Sequence, residues 1–341
     1  MSKEEPRLSV VIPTMGRDTL VPAVKSVLAA RGSDALEVIV AGEVPPGPVR
    51  GELQSLAAAD GRVRHLPVSF PSGDSSRKKN AGAAAARAEI VAFLDDDVVV
   101  SPDWPEKMLA AFADPAVGLV SGPGLVPDGI SLFARLAGVA LASRAAGYVA
   151  ERYVRGRPEP RRIAWSRIIG CNMAYRKSVL VALGGFDPAF WPGEEMIAAH
   201  RAQKAGHVLL FNPEAWVCHY PRQSFARFWR QMHGYGATRV RLIRAGAEFE
   251  PATIVPALWV LSLLILGGAA PFSGLARALL LLDVCGYLAA DAWITISKVA
   301  ETGRAADLLT FLLIPVMHLS YGIAEWIEFF RPGRDLSEKS G

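Results

Sequence analysis

The 341-residue sequence has only three cysteines, Cys171, Cys218 and Cys285, odd in number and far apart. It has no C-x-x-C pair, which argues against both a disulfide framework and a zinc knuckle and fits a reducing, cytosolic setting for the soluble part. No G-x-x-x-x-G-K-[ST] loop occurs, and no G-x-G-x-x-G follows the first apolar run. ATPase and dinucleotide-dependent readings lose their main support with them. Excess charge is scarce as well: a net charge of +4 is too small to imply a nucleic-acid partner. The opening stretch "MSKEEPRLSVVIP" passes from a short charged tail into a strand, without the apolar core of a signal peptide.

Apolar residues, by contrast, are abundant at 51 % and unevenly spread. Three runs near the end, 254–272, 278–296 and 308–326, each have about the length needed to cross ~30 Å of hydrocarbon as a helix. The first carries no charge, the second contains Asp283 and Asp291, and the third His318 and Glu325. One such run fits a buried core helix, whereas three in succession read as membrane helices. Arg239, Arg241 and Arg244 before the first run favour a cytoplasmic N-terminal part. Three full crossings would leave Arg331 and Arg334 outside, against that tendency, so a re-entrant or interfacial segment stays open. The expected organisation is a catalytic domain over 1–245, with a basic, amphipathic, membrane-proximal insert at 131–167. A membrane domain over 246–331 and a polar tail at 332–341 follow.

The first hundred residues alternate. Strand-like runs "LSVVIP", "LEVIVAG", "VRHLPV" and "EIVAFL" are separated by stretches with helical spacing, the last being "RKKNAGAAAARA". This predicts an α/β fold with a mostly parallel sheet and helices on both faces. Ligands bind such sheets outside the carboxyl ends of the strands. Pro13-Thr14, Gly42-Glu43 and Asp95-Asp96-Asp97 all fall there. Three adjacent carboxylates repel one another. One aspartate capping a turn is a sufficient structural reason for a single acid, not for three. Aspartates at alternate positions can also hold a divalent cation, which would neutralise the phosphates of a nucleotide.

The segments "LSVVIPTMGR", "RKKNAGAAAARAEIVAFLDDD", "GCNMAYRKSVLVALGGFD" and "WPGEEMIAAHRAQKAG" occur in the order seen in family 2 glycosyltransferases of the GT-A fold. The resemblance covers roughly residues 8–240. It implies transfer of a sugar from a nucleotide-diphosphate donor, with inversion, dependent on Mg2+ or Mn2+. By that resemblance Asp95 and Asp97 form the D-x-D pair, Asp97 holding the metal and Asp95 or Asp96 approaching the ribose or the metal's waters. Pro13, Thr14 and Arg17 border the base, and Lys79 and Asn80 match a nucleotide-binding pair. Two departures stand out. The acid after the second strand lies in "AGEVPPG", which leaves Glu43 as the candidate, and Ile197 replaces the second acid of "EEMIAAHR".

An inverting transfer to a hydroxyl needs a carboxylate that takes the proton. Glu195 aligns with the family's catalytic base, and Glu194 would raise its pKa by repulsion. Two exposed acids in a first helical turn, complementing the helix dipole, are the plainer alternative. His219 matches a histidine that completes metal or diphosphate contacts, although a lone histidine is often a satisfied core or surface residue. Asp187 and Arg201, together with Trp191, are expected near the donor sugar or the acceptor. Trp104 fits core filling as well as ring stacking.

The stretch 131–150 is suited to a membrane surface. The run 151–167 holds six arginines against two glutamates. Arg161 and Arg162 are expected to meet an anionic group on a lipid-linked acceptor, or else anionic headgroups. The expected partners are a nucleotide-diphosphate sugar, a lipid-linked or glycan acceptor and the inner membrane, with room for a homo-oligomer. A polyprenyl-phosphate glycosyltransferase is the alternative, since an ionised phosphate needs no base. A processive synthase would carry Q-x-x-R-W, whereas "FARFWRQMHGYG" orders those residues differently. A non-catalytic assembly subunit is disfavoured by the intact acids.

Overall fold

The computed structural model describes residues 5–70, 75–190 and 192–331. Its strands, in chain order, are β1 (Leu8–Pro13), β2 (Leu36–Ala41), β3 (Val63–Leu66), β4 (Ile90–Leu94), β5 (Val98–Val100), β6 (Val117–Ser121), β7 (Gly124–Leu125), β8 (Arg161–Arg162), β9 (Asn172–Arg176), β10 (Val208–Phe211) and β11 (Val217–His219). The helices are α1 (Leu20–Ala29), α2 (Pro48–Ala59), α3 (Ser75–Ala85), α4 (Trp104–Ala110), α5 (Leu132–Leu141), α6 (Lys177–Ala182), α7 (Glu194–Lys204), α8 (Phe225–Arg244), α9 (Val255–Ala269), α10 (Gly274–Thr302) and α11 (Leu313–Phe330).

Two compact units form: one from residues 1–127 with 151–220, the other from 128–150 with 221–341. The expectation of a single boundary at residue 245, with 131–167 as one insert, divides the chain differently. The difference has a packing origin. Helices α5 and α8 are amphipathic, and α11 packs against both. The arginine-rich stretch from 151 onward stays with the sheet.

The first unit is an eight-stranded sheet in the order β3-β2-β1-β4-β9-β6-β10-β8. Strands β1 to β4 pair in parallel, as does β6 with β10, while β9 runs antiparallel to both β4 and β6. Every residue of β2 and β4 is buried, and β1 is buried up to Pro13. Both faces of these strands are therefore covered, as their mainly apolar runs require, and the buried polar residues in them, Ser9 and Glu37, meet through a hydrogen bond of 2.7 Å. Gly82 on α3 lies directly on Val11 of β1, where no side chain fits. The chain runs β1, β2, β3 to one edge and then returns to place β4 on the other side of β1. The point where the order reverses, between β1 and β4, is where such sheets open a crevice for ligands.

A second sheet, β5-β11-β7, begins where β4 ends. Strand β11 pairs antiparallel with β5, setting His219 opposite Val98. This register carries His219 to the end of the aspartate turn.

The second unit is helical. Among the described residues, three helical segments are long and apolar enough to cross a membrane, Pro251–Ala269, Gly274–Thr302 and Ala305–Phe330. Large apolar side chains such as Leu264, Phe272, Leu282 and Phe330 stand exposed on them, as expected of surfaces facing hydrocarbon. Arg135 of α5 reaches Asp307 through two hydrogen bonds, 2.8 and 2.6 Å, and Asp307 is fully buried. Arg241 of α8 pairs with Glu328 of α11 at 3.0 Å.

Candidate active site

At the switch point the strand ends bring together the first group of acids. Asp96 accepts a hydrogen bond from the Thr14 hydroxyl at 2.6 Å and one from Arg17 at 3.1 Å. The same Arg17 nitrogen donates to Asp97 at 2.8 Å. Arg17 itself is half exposed, so this pairing is screened by solvent. Beside it, β2 is followed by Gly42, whose φ of +140° and closeness to the Thr14 carbonyl leave no room for a side chain. Pro13 is part-buried at the end of β1, and Glu43 is exposed next to Gly42. Lys78, absent from the sequence expectation, is buried and donates to the Thr14 carbonyl at 2.9 Å. Sequence alone gives no sign that it, as well as Lys79, turns inward.

Asp95, Asp97 and His219 offer ligand atoms that all lie within 4.8 Å of one another. His219 Nε2 is 3.4 Å from an Asp97 carboxylate oxygen. Burial pushes the Asp95 carboxyl up and Asp97 pushes it further, against the opposing pull of Lys79 and His219. A buried carboxylate pair of this kind is stabilised by a nearby positive charge. Two carboxylates and an imidazole make an oxygen and nitrogen donor set, so the residues present fit a divalent ion such as Mg2+ or Mn2+.

The second group of acids opens α7, after Gly193 in a left-handed conformation. Glu194 points into the protein and meets Lys79 of α3 at 3.0 Å; each side chain is 4 % exposed. For Lys79, burial opposes the charge, but Glu194, Glu195 and Asp95 outweigh it and raise the pKa. Burial likewise opposes ionised Glu194, yet Lys79 holds its carboxyl below the usual range. The acid pair is thus not a pair of exposed first-turn carboxylates.

Glu195 is different. Burial first, and then repulsion from Glu194, push its carboxyl up to about 7, despite Lys79 and Arg152. Its carboxyl group lies across from Gly170, where an added Cβ would stand 3.1 Å from both Cγ and Cδ of Glu195. The next residue, Cys171, is buried beside Asp95 and Asp97, and burial pushes its thiol well above the ordinary range. Asn172 then locks the segment, accepting from the indole of Trp104 at 2.9 Å and donating to the Ala215 carbonyl at 2.8 Å. Trp104 is fully buried, so it fills the core. Residues 170–172 therefore touch both acid groups, a role the sequence gives no way to see. Arg152, from the arginine-rich run, is also buried and donates to the Ser166 carbonyl.

Other expected site residues are placed as follows. Asn80 bonds the backbone of Phe186 twice, donating to its carbonyl at 2.7 Å and accepting from its N–H at 2.8 Å. That fixes the loop carrying Asp187. Asp187 and Arg201 come together as an ion pair at 3.4 Å. Arg161 lies over the Phe211 ring, 4.6 Å from its centroid, and 3.5 Å from Glu151. Arg162 is exposed. Trp191 lies outside the described residues.

A Rossmann-like α/β sheet with acids gathered at its switch point defines a nucleotide-binding class of fold. Residues 9–184 match the model of glycosyl transferase family 2, and the chain belongs to that family. It is 29 % identical over 241 residues to the pre-mycofactocin glycosyltransferase of Mycobacterium tuberculosis, covering 69 % of this chain and 47 % of that one. It is 35 % identical over 94 residues to the GalNAc(5)-diNAcBac-PP-undecaprenol beta-1,3-glucosyltransferase of Campylobacter jejuni, covering 27 % of this chain and 30 % of that one. The chain thus spans less than half the length of either relative. Its fold is shared with a mannosyltransferase of Pyrobaculum calidifontis solved with GDP-Man and Mn2+. The TM-score is 0.58 at 17 % identity, covering 96 % of this chain and 88 % of that one.

Proposed function

We propose that this chain is an inverting glycosyltransferase that moves a sugar from a nucleotide-diphosphate donor to a hydroxyl of a lipid-linked or membrane-proximal glycan. In this reading it depends on Mg2+ or Mn2+ and works at the cytoplasmic face of the inner membrane. The observation that carries the reading is the gathering of Asp95, Asp97 and His219 at the switch point. The name of the Campylobacter relative, which specifies a diphospho-undecaprenol substrate, supports a lipid-linked acceptor.

Asp95, Asp97 and His219 would hold the ion, which when bound neutralises the departing diphosphate. The remaining steps belong to the side chains. Thr14 and Arg17 fix Asp96 where the base and ribose of the donor would lie. Pro13 and Glu43 border the same strand ends. Glu195 takes the proton from the acceptor hydroxyl as the new C–O bond forms, and a carboxyl near 7 is matched to that task at neutral pH. Lys79 and Asn80 act from beneath: one charges and orients Glu194, the other fixes the 184–187 loop. Asp187 and Arg201, and beyond them Arg161 and Arg162, are assigned to the sugar and acceptor side. The acid at 195 favours a hydroxyl acceptor over an already ionised polyprenyl phosphate.

The test is nucleotide-diphosphate release by purified full-length protein, across UDP-, GDP- and dTDP-sugars with Mn2+ or Mg2+. Metal-dependent release from one donor, lost in both Asp97→Ala and Glu195→Gln, is the expected result. Release that persists in Asp97→Ala, or that needs no metal, would sink the metal assignment.

A further inference from the structure

The helical unit holds a partly open cavity of about 630 Å³, within the range of about 300–1,000 Å³ typical of small-molecule sites. Its wall is contributed by α5 and the 145–149 turn, by α8, and by all three candidate membrane segments. The wall is almost wholly apolar. The polar groups in it are largely engaged by the protein itself. His318 Nε2 lies 2.8 Å from the Ala145 carbonyl, which can only accept, so Nε2 carries the proton. His318 Nδ1 then accepts from the Tyr287 hydroxyl, also at 2.8 Å. Asp283 accepts from Ser262 at 2.8 Å. Tyr287 stacks on Trp259 with ring centroids 3.7 Å apart. A ligand entering here meets mainly ring faces and aliphatic carbon, with the buried Trp259 Nε1–H left without an acceptor among the described residues, which selects a largely hydrocarbon ligand.

Charge narrows the choice. Arg239 of α8 is 6 % exposed and sits behind two wall residues, 5.3 Å from the Tyr148 ring centroid and hydrogen-bonded to Tyr321. Its Nη1 has no hydrogen-bond acceptor among the described residues, and Glu325 is its nearby counter-charge. A buried guanidinium with a spare donor complements a phosphate. We infer that this cavity receives the hydrocarbon chain of a phosphate-bearing membrane lipid, the lipid that carries the acceptor glycan. The inference rests on the lipid-linked acceptor proposed above.

Gly286 supplies the test. It lines the cavity from α10, and a Cβ added to it would meet nothing within 4 Å. Gly286→Leu therefore fills the cavity while improving helix propensity. Gly268 on α9 is equally open but does not line the cavity, so Gly268→Leu is the control. Full-length protein in phosphatidylcholine nanodiscs would be exposed to a photoactivatable long-chain isoprenyl phosphate, and separately to a photoactivatable phosphatidylglycerol. Labelled peptides would be mapped by mass spectrometry.

The isoprenyl phosphate is expected to label the 145–149 and 282–287 stretches. Gly286→Leu should reduce that labelling about tenfold or more, as blocking a hydrophobic pocket does, and Gly268→Leu should not. Arg239→Gln should weaken labelling by the phosphate but not by the corresponding free isoprenol. Equal labelling in Gly286→Leu, or phosphatidylglycerol labelling the same stretches as strongly, would overturn the inference. Indifference to Arg239→Gln would overturn its phosphate part. Donor hydrolysis in the absence of lipid separates the two readings. Labelling of the cavity by a protein that transfers sugar to no lipid would sink the acceptor proposal, and with it the occupant's role as acceptor, while the binding of a phosphate-bearing lipid in the cavity would stand. Lipid transfer that continues unchanged in Gly286→Leu would sink this inference alone.

Discussion

Lys79 and Glu194, 115 positions apart in the chain, meet at 3.0 Å with each side chain only 4 % exposed. A buried ion pair contributes little net stability, but breaking one strands its partner. The pair also joins α3, which packs on β1, to the start of α7, which carries Glu195.

Lys79→Met should therefore destabilise the protein by about 3–5 kcal/mol, leaving Glu194 charged and unpaired. Combining it with Glu194→Gln should restore much of that loss. Denaturant unfolding of the two variants beside the parent checks both statements, and a double variant no more stable than the single one would contradict them.

The activity should rise with pH and level off above about 7, because Glu195 works only when ionised and its carboxyl is raised to about 7. Each pH unit below that should lower the rate about tenfold. Glu195→Gln should remove this limb and lower the rate about 10²–10⁴-fold. The stability linkage has the opposite sense. A raised carboxyl gives stability that is complete below its ordinary range and is lost as pH climbs through about 7. Glu195→Gln should thus melt above the parent at pH 8 and with it at pH 4, which thermal scans at the two pH values would read.

Gly170→Ala would set a methyl group 3.1 Å from Glu195. A displaced catalytic group costs on the order of 10²-fold in rate. The expected outcome is a reduced kcat with unchanged nucleotide binding, measured by steady-state kinetics together with calorimetric titration. A kcat equal to the parent's would place Glu195 away from the reacting atoms.

Arg135→Leu should cost about 3–5 kcal/mol in the helical unit, since Asp307 has no exposed surface and would keep only neutral help such as the hydrogen bond from the Thr302 hydroxyl, at 2.7 Å. Arg135→Leu with Asp307→Asn should recover most of it. Resistance to unfolding in detergent, followed by tryptophan fluorescence, distinguishes the variants.

Much of the sheet was legible in the sequence because β1, β2 and β4 are almost wholly covered and so read as mainly apolar runs, broken only by Ser9 and Glu37 and closed by Pro13, Gly42 and the aspartates. The short strands β5, β7, β8 and β11 were not, having only two or three residues each in which a pattern could show. The strand-end acids were legible because three adjacent carboxylates have no folding reason. The inward turn of Lys78 and Lys79 was not, since a basic pair on an Ala-rich helix looks the same facing solvent. Likewise α5 and α8 carry apolar stripes that a sequence cannot distinguish from a membrane-surface face. Their partner, α11, lies at least 69 residues further along the chain.

The chain order of the site has an evolutionary consequence. The strand ends that would grip the nucleotide are complete by residue 97, whereas Gly170, Glu195 and Arg201 all come from a later stretch. Recombination after β5 could exchange one acceptor-side cassette for another while the nucleotide grip stays intact. The incoming piece would have to bring His219, paired across to Val98, together with Glu194 for Lys79, the Phe186 backbone for Asn80, and a strand that pairs with β4.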